Sequence, residues 1–174
     1  LKTGHPLILT ARIAEEDLEP FDRLRQAHFP SDRNFLRAHL TMFHRLPGEY
    51  EARIVNALNL AAERMPASTA EVSGVRHLGA GVAYMIACPA LEAIRGALKS
   101  AFVSWLGSQD MQTWRPHITI QNKVPRAKAD ELHRDLCARF QPWSILIAGL
   151  DLWAYLGGPW QHLAFAPFGS RPQA

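Results

Sequence analysis

Polar and apolar positions alternate along the chain in two rhythms, one of period two and one of helical spacing. From 6 to 13 the period is two, with Leu7, Leu9, Ala11 and Ile13 on one face and Ile8, Thr10 and Arg12 on the other, which predicts a strand. The period then lengthens. Glu15, Glu16 and Asp17 supply the acidic first turn of a helix from 15 to about 28, and Pro30 stops it. A strand is predicted over 36–46, ending at Pro47-Gly48. A helix over 50–64 follows, with Ile54, Val55, Leu58 and Ala62 at helical spacing and Pro66 beyond its end. Strands over 69–78 and 82–88 are joined through Gly79-Ala80-Gly81.

The order then begins again. Pro89 stands where a first helical residue would, and Leu91, Ile94, Leu98, Phe102 and Trp105 keep helical spacing to Gly107. A polar loop over 108–114 leads to a strand over 115–124 ending at Pro125, a helix over 127–140, a long strand over 143–156, and a last strand over 160–166 after Gly157-Gly158-Pro159. At an offset of 78 residues, His39-Leu40-Thr41-Met42 falls on His117-Ile118-Thr119-Ile120, Arg45 on Lys123, Pro47 on Pro125, and Leu78-Gly79 on Leu156-Gly157. Such self-similarity marks a duplicated unit, and two copies mean paired lobes rather than a solenoid. The fold class expected is α+β.

Composition narrows the partners. With 174 residues and 48% apolar content, one globular domain with a sizeable core is expected. Lys plus Arg number 19 against 16 Asp plus Glu, and no basic run forms a track for long nucleic acid, so a local anion site fits better. Cys88 and Cys137 lie far apart and outside metal-ligand spacing, which is expected of plain buried thiols in a reducing compartment. No apolar run reaches the roughly 18 residues of a bilayer span, and no basic-then-apolar leader is visible, so a cytoplasmic location is the expectation; with no oligomer signal in the sequence, a monomer is expected.

The matched strands carry the chemistry. Successive side chains leave a strand on opposite faces, so His39 and Thr41 share one face with Leu40 and Met42 behind, and His117 and Thr119 repeat the arrangement. Two imidazoles and two hydroxyls suit phosphoryl chemistry. In-line displacement needs a base at the attacking oxygen and an acid at the leaving oxygen, on opposite sides of phosphorus, and histidine serves either need near neutrality. Thr41 and Thr119 would hold the non-bridging oxygens. No metal or other cofactor is required, and neither motif supplies the third ligand a metal site usually adds, although six further histidines leave a composite site open. Each of those six, His44 among them, reads as an ordinary surface or locally satisfied residue. By strand parity Phe43 and Arg45 share the face of His39, Gln121 and Lys123 that of His117, and Arg12 the polar face of the first strand, with Tyr84 on the comparable face by the repeat. A base would stack on Phe43 or Tyr84.

HLTM and HITI resemble the signature of the two-histidine (2H) phosphoesterase superfamily, and RAHLTMFHRLPG, WRPHITIQNKV and LWAYLGGPW resemble its bacterial 2′-5′ RNA ligase-like members. The resemblance implies a bilobal, pseudo-two-fold fold with two antiparallel sheets facing a central cleft and helices outside. It implies metal-independent hydrolysis of 2′,3′-cyclic phosphates of nucleotides or RNA ends, or 2′-5′ ligation or 2′-5′ phosphodiester cleavage by the same residues; a non-catalytic module gripping an RNA end is the reading from another class. Carried over, His39 and His117 become the acid/base pair, His117 activating water and His39 protonating the leaving oxygen, while Thr41 and Thr119 hold phosphate. Arg115, ahead of Pro116-His117, is the basic residue expected near the phosphate.

Overall fold

The computed structural model describes residues 4–169. The element order follows the predicted repeat: β1 (Leu7–Ile13), α1 (Glu15–His28), β2 (Leu40–Leu46), α2 (Glu51–Glu63), β3 (Ser68–His77), then β4 (Val82–Ala87), α3 (Pro89–Phe102), a short α4 (Ser108–Met111), β5 (His117–Gln121), α5 (Arg126–Arg139), β6 (Trp143–Tyr155) and β7 (Trp160–Pro167). Both histidine strands are shorter than their alternation predicts. Residues 36–39 are not paired as strand; acidic side chains of α1 hold them instead, Asp22 accepting from the Ala38 N–H at 2.6 Å and Glu15 and Asp22 binding the Arg37 guanidinium. Ser108 to Met111, read as loop, forms one helical turn. Cys88 is buried, but Cys137 is exposed on α5, because it lies off the stripe Ala129, Leu132 and Leu136 that this helix buries.

All pairings are antiparallel, and the strands form one sheet in the order β1-β2-β5-β4-β3-β6-β7 that closes through β1 with β6. The expectation of two separate sheets is corrected on this point. β3 and β6 are long enough to change partners midway: β3 pairs with β6 over 68–72 and with β4 over 71–77, while β6 pairs with β3 over 143–147 and with β1 over 147–154. Each half therefore lends a strand to the other, and the closed arrangement leaves few unpaired edges. The two copies also meet where Leu40 of β2 pairs with Ile118 of β5.

Leu40 and Ile118 are fully buried, and behind them α1 lays Phe21 against Tyr84 of β4, with ring centroids 5.7 Å apart. Helix α1 packs on β5, α5 on β3 and β4, and α2 on β6 and β7. Among the described residues no helix is long and apolar enough to cross a membrane.

Gly81 closes the β3–β4 turn, its carbonyl accepting from Leu78 N–H, and a Cβ there would collide with the backbone carbonyl of Gln121. Gly96 is exposed inside α3 with open space around it. Gly81→Ala is expected to lower the unfolding free energy by about 1–3 kcal/mol through overpacking. Gly96→Ala should raise it by roughly 0.5–1 kcal/mol through helix propensity. Denaturant unfolding of the two variants reads both signs.

A candidate phosphate site between matched strands

The antiparallel pair Leu40 with Ile118 decides what stands opposite what. One residue to either side, His39 comes across from Thr119 and Thr41 across from His117, all four side chains on the open face because their paired neighbours point into the core. These four line one cavity of about 200 Å³, together with Ile8, His44 and Trp160. The two imidazoles are held alike. His39 Nδ1 lies 2.8 Å from the Arg37 carbonyl and His117 Nδ1 2.8 Å from the Arg115 carbonyl. A carbonyl can only accept, so each Nδ1 carries a hydrogen and each neutral ring keeps its lone pair on Nε2. The Trp160 ring packs against His39 at 4.7 Å.

Burial pushes His39 down to about 4 from the ordinary 6.5, against the Arg37 carbonyl, and the positive charges of Arg25, His117 and His44 add to the fall. His117 is lowered too, first by burial and then by Arg76, His44 and Arg115, with the Arg115 carbonyl opposing. At neutral pH both rings are therefore bases. An anion between them would favour a proton on one.

A bulge accounts for the residues that alternation misplaces. Thr10 pairs with Thr41, but the next pair along is Leu9 with Phe43, so β2 carries an extra residue there and its parity flips. Phe43, predicted to face the cleft, is fully buried instead against Phe102 and the Arg95 guanidinium, and His44 takes the cavity-facing position. Arg45 is exposed and outside the cavity. The bulge frees backbone groups, which buried charges satisfy: Arg95 donates to the Met42 carbonyl at 3.1 Å, and the Asp110 carboxylate accepts from the His44 and Arg45 N–H groups and from His44 Nδ1. Burial raises the Asp110 carboxyl, yet these hydrogen bonds hold it below the usual carboxylate range. A similar irregularity ends β5, where Ala83 pairs with Thr119 but Val82 with Gln121, and Arg25 from α1 reaches the Thr119 carbonyl at 2.9 Å.

Tyr84 is also corrected. Ala83, not Tyr84, is the cross-strand partner of Thr119, so Tyr84 lies on the core side against Phe21 and Trp143. Lys123 sits past the end of β5 in a left-handed turn with φ 60°, exposed, and Arg115 is exposed, its carbonyl engaged by His117. Arg12 is bound by the Asp151 carboxylate through two hydrogen bonds of 2.9 and 2.7 Å and stacks on Phe165, so its charge is already partnered. It lines a second, larger cavity of about 710 Å³ that adjoins the first at His39 and Trp160 and is walled by Phe35, Leu18 and Trp153. Alternation could not find His44, Asp110, Arg25 or Arg95, since a bulge and buried polar contacts have no period. Trp160 lines both cavities. Among the described residues no group of three or more His, Cys, Asp or Glu is placed to hold a metal ion.

Comparison with known proteins gives a consistent picture. The family model of the 2′-5′ RNA ligase superfamily matches residues 12–159. TT0787 of Thermus thermophilus is similar in structure, with TM-score 0.68 at 15% identity over 95% of this chain and 100% of that one. LigT of Escherichia coli, in complex with 3′-AMP, gives TM-score 0.61 at 20% identity over 95% and 99%, and a crystal structure titled only a phosphoesterase gives 0.60 at 19% over 96% and 99%. These identities carry the fold and no more. Among curated proteins nothing matches. With a family match spanning most of its length, and both of its histidine motifs lining one cavity, the chain belongs to the 2′-5′ RNA ligase superfamily of two-histidine phosphoesterases.

Proposed function

We propose that the chain hydrolyses 2′,3′-cyclic phosphates of nucleotides or RNA ends by paired imidazole catalysis, without a metal. The observation that carries this reading is the cavity in which two carbonyl-anchored histidines and two threonines stand crosswise, His39 opposite Thr119 and His117 opposite Thr41. A phosphate lying between the strands would meet one Nε2 on each side and one hydroxyl from each strand. That is the arrangement an in-line displacement needs: one side takes a proton from water, the other gives one to the departing ribose oxygen, and the hydroxyls hold the equatorial oxygens. The 3′-AMP bound by LigT supports a nucleotide as the ligand class.

The surroundings give the site a direction. The large cavity with Phe35 and Trp153 adjoins it on the His39 side. A nucleoside seated there would place its ribose oxygen near His39, which then protonates the leaving oxygen, and water would be activated by His117. In the reverse direction the roles exchange, which is how the same residues would join a 2′-5′ linkage.

In the free protein the rings of His39 and His117 both hold protons less well than ordinary histidine. The reactive form needs one proton on the pair, and that proton is lost as pH rises. A plot of kcat/KM against pH is therefore expected to peak between about 4 and 6.5 and to fall above it by up to about tenfold per pH unit. A plateau extending past pH 8 would contradict the assignment. His39→Ala and His117→Ala are each expected to lower kcat on nucleoside 2′,3′-cyclic phosphates by at least about 100-fold, with binding of the nucleotide kept and turnover of the wild type unchanged in excess chelator. Turnover that survives in both variants, or stops in chelator, would sink the reading.

A further inference from the structure

Among the described residues, His44 is the one histidine lining this cavity from outside the two repeated motifs. Its counterpart in the second copy is Asn122, so the repeat does not require it. Three features of the structure make it more than a bystander. The bulge in β2 turns it from the parity of the strand into the space shared by His39 and His117. A carboxylate buried to 2% exposure, Asp110, lies 3.0 Å from its Nδ1 and accepts from its own backbone N–H. Arg95, itself buried, donates to the Asp110 and Met42 carbonyls and so fixes both the short helix and the bulge that bring the pair together.

The chemistry follows from who can donate. A carboxylate only accepts, so His44 Nδ1 donates to Asp110, and the ring's second nitrogen is left for the cavity. Among the described residues no Lys or Arg side chain lines this cavity. A phosphate held there by two threonine hydroxyls would carry more negative charge than one proton on the His39–His117 pair balances, and His44, donating to Asp110 from Nδ1 and to the phosphate from Nε2 as an imidazolium, would supply the rest. The groups that face His44 are Asp110 from α4, His39 and His117 across the cavity, and Arg95 behind Asp110 from α3.

We infer that His44, seated by Asp110, is a third phosphate-binding residue that donates from Nε2 to a non-bridging oxygen, making this site a three-imidazole anion pocket rather than a two-imidazole one. This rests on the proposed reading of the cavity as a phosphate site. Asp110 acts through His44 and is a positioning residue.

The test reads binding and turnover separately. Binding of inorganic phosphate is measured for the wild type, His44→Gln and Asp110→Asn by calorimetry, with the ring ¹⁵N resonances followed in the same titration and turnover measured on a nucleoside 2′,3′-cyclic phosphate. The His44 side chain is half-exposed and outside the buried core. The expected results are a loss of phosphate affinity of about 10- to 100-fold in His44→Gln, the factor for one charge-assisted hydrogen bond, a comparable loss in kcat, and movement of the His44 Nε2 resonance when phosphate is added to the wild type. The double variant should have a kcat no lower than His44→Gln alone. Phosphate affinity within about twofold of wild type in His44→Gln, or a His44 resonance that phosphate leaves in place, would overturn the inference. Should the wild type itself fail to turn over the cyclic phosphate, the hydrolase reading fails, and the phosphate titration still decides the role of His44.

Discussion

Leu40 and Ile118 pair where the two copies of the repeat meet, and the geometry of the site is a consequence of that pair. Both side chains are fully buried, which fixes the register, since a slip of one residue would turn each strand's apolar set out of the core. With the register fixed, the residues on either side have no choice of face. His39 and Thr41 leave one strand toward the cavity, His117 and Thr119 leave the other, and the antiparallel direction crosses them so that each histidine faces the other strand's threonine. Core packing behind the sheet thus positions polar chemistry in front of it.

The closed sheet serves the same end. β3 and β6 each run from one half to the other, so neither half can move without breaking backbone pairing along a long strand. The anchoring of both Nδ1 atoms by carbonyls two residues earlier adds a local constraint, leaving the lone pair of each neutral ring on Nε2. Burial then lowers the proton affinity of both rings, an effect that an anion in the cavity would offset. The strongest perturbation falls on His39, the ring that also touches Trp160 and borders the larger cavity.

Much of this is legible in the sequence because it rests on periodicity. Strand and helix order, the duplication, and the four residues of the two motifs all follow from alternation and an offset of 78. The remainder is hidden for physical reasons. Counting alternate residues places Phe43 and Tyr84 in the cleft, whereas a bulge in β2 and a different register in β4 send them to the core. Arg12 carries the right charge on the expected strand, but Asp151, far away in sequence, has taken it. Asp110 falls in the predicted polar loop and Arg95 in the predicted helix; their burial against the bulge, where they bind its backbone groups, has no periodic signal.

The central claim, that phosphate chemistry takes place between His39 and His117 with the nucleoside on the His39 side, is tested most directly by a crystal structure of the protein with a nucleoside 2′-monophosphate. The account requires phosphorus in the smaller cavity, within reach of both Nε2 atoms and both threonine hydroxyls, with the base in the larger cavity beside Trp160. A nucleotide bound instead along the exposed Arg115 and Lys123, or seated with its base away from Trp160, would contradict it.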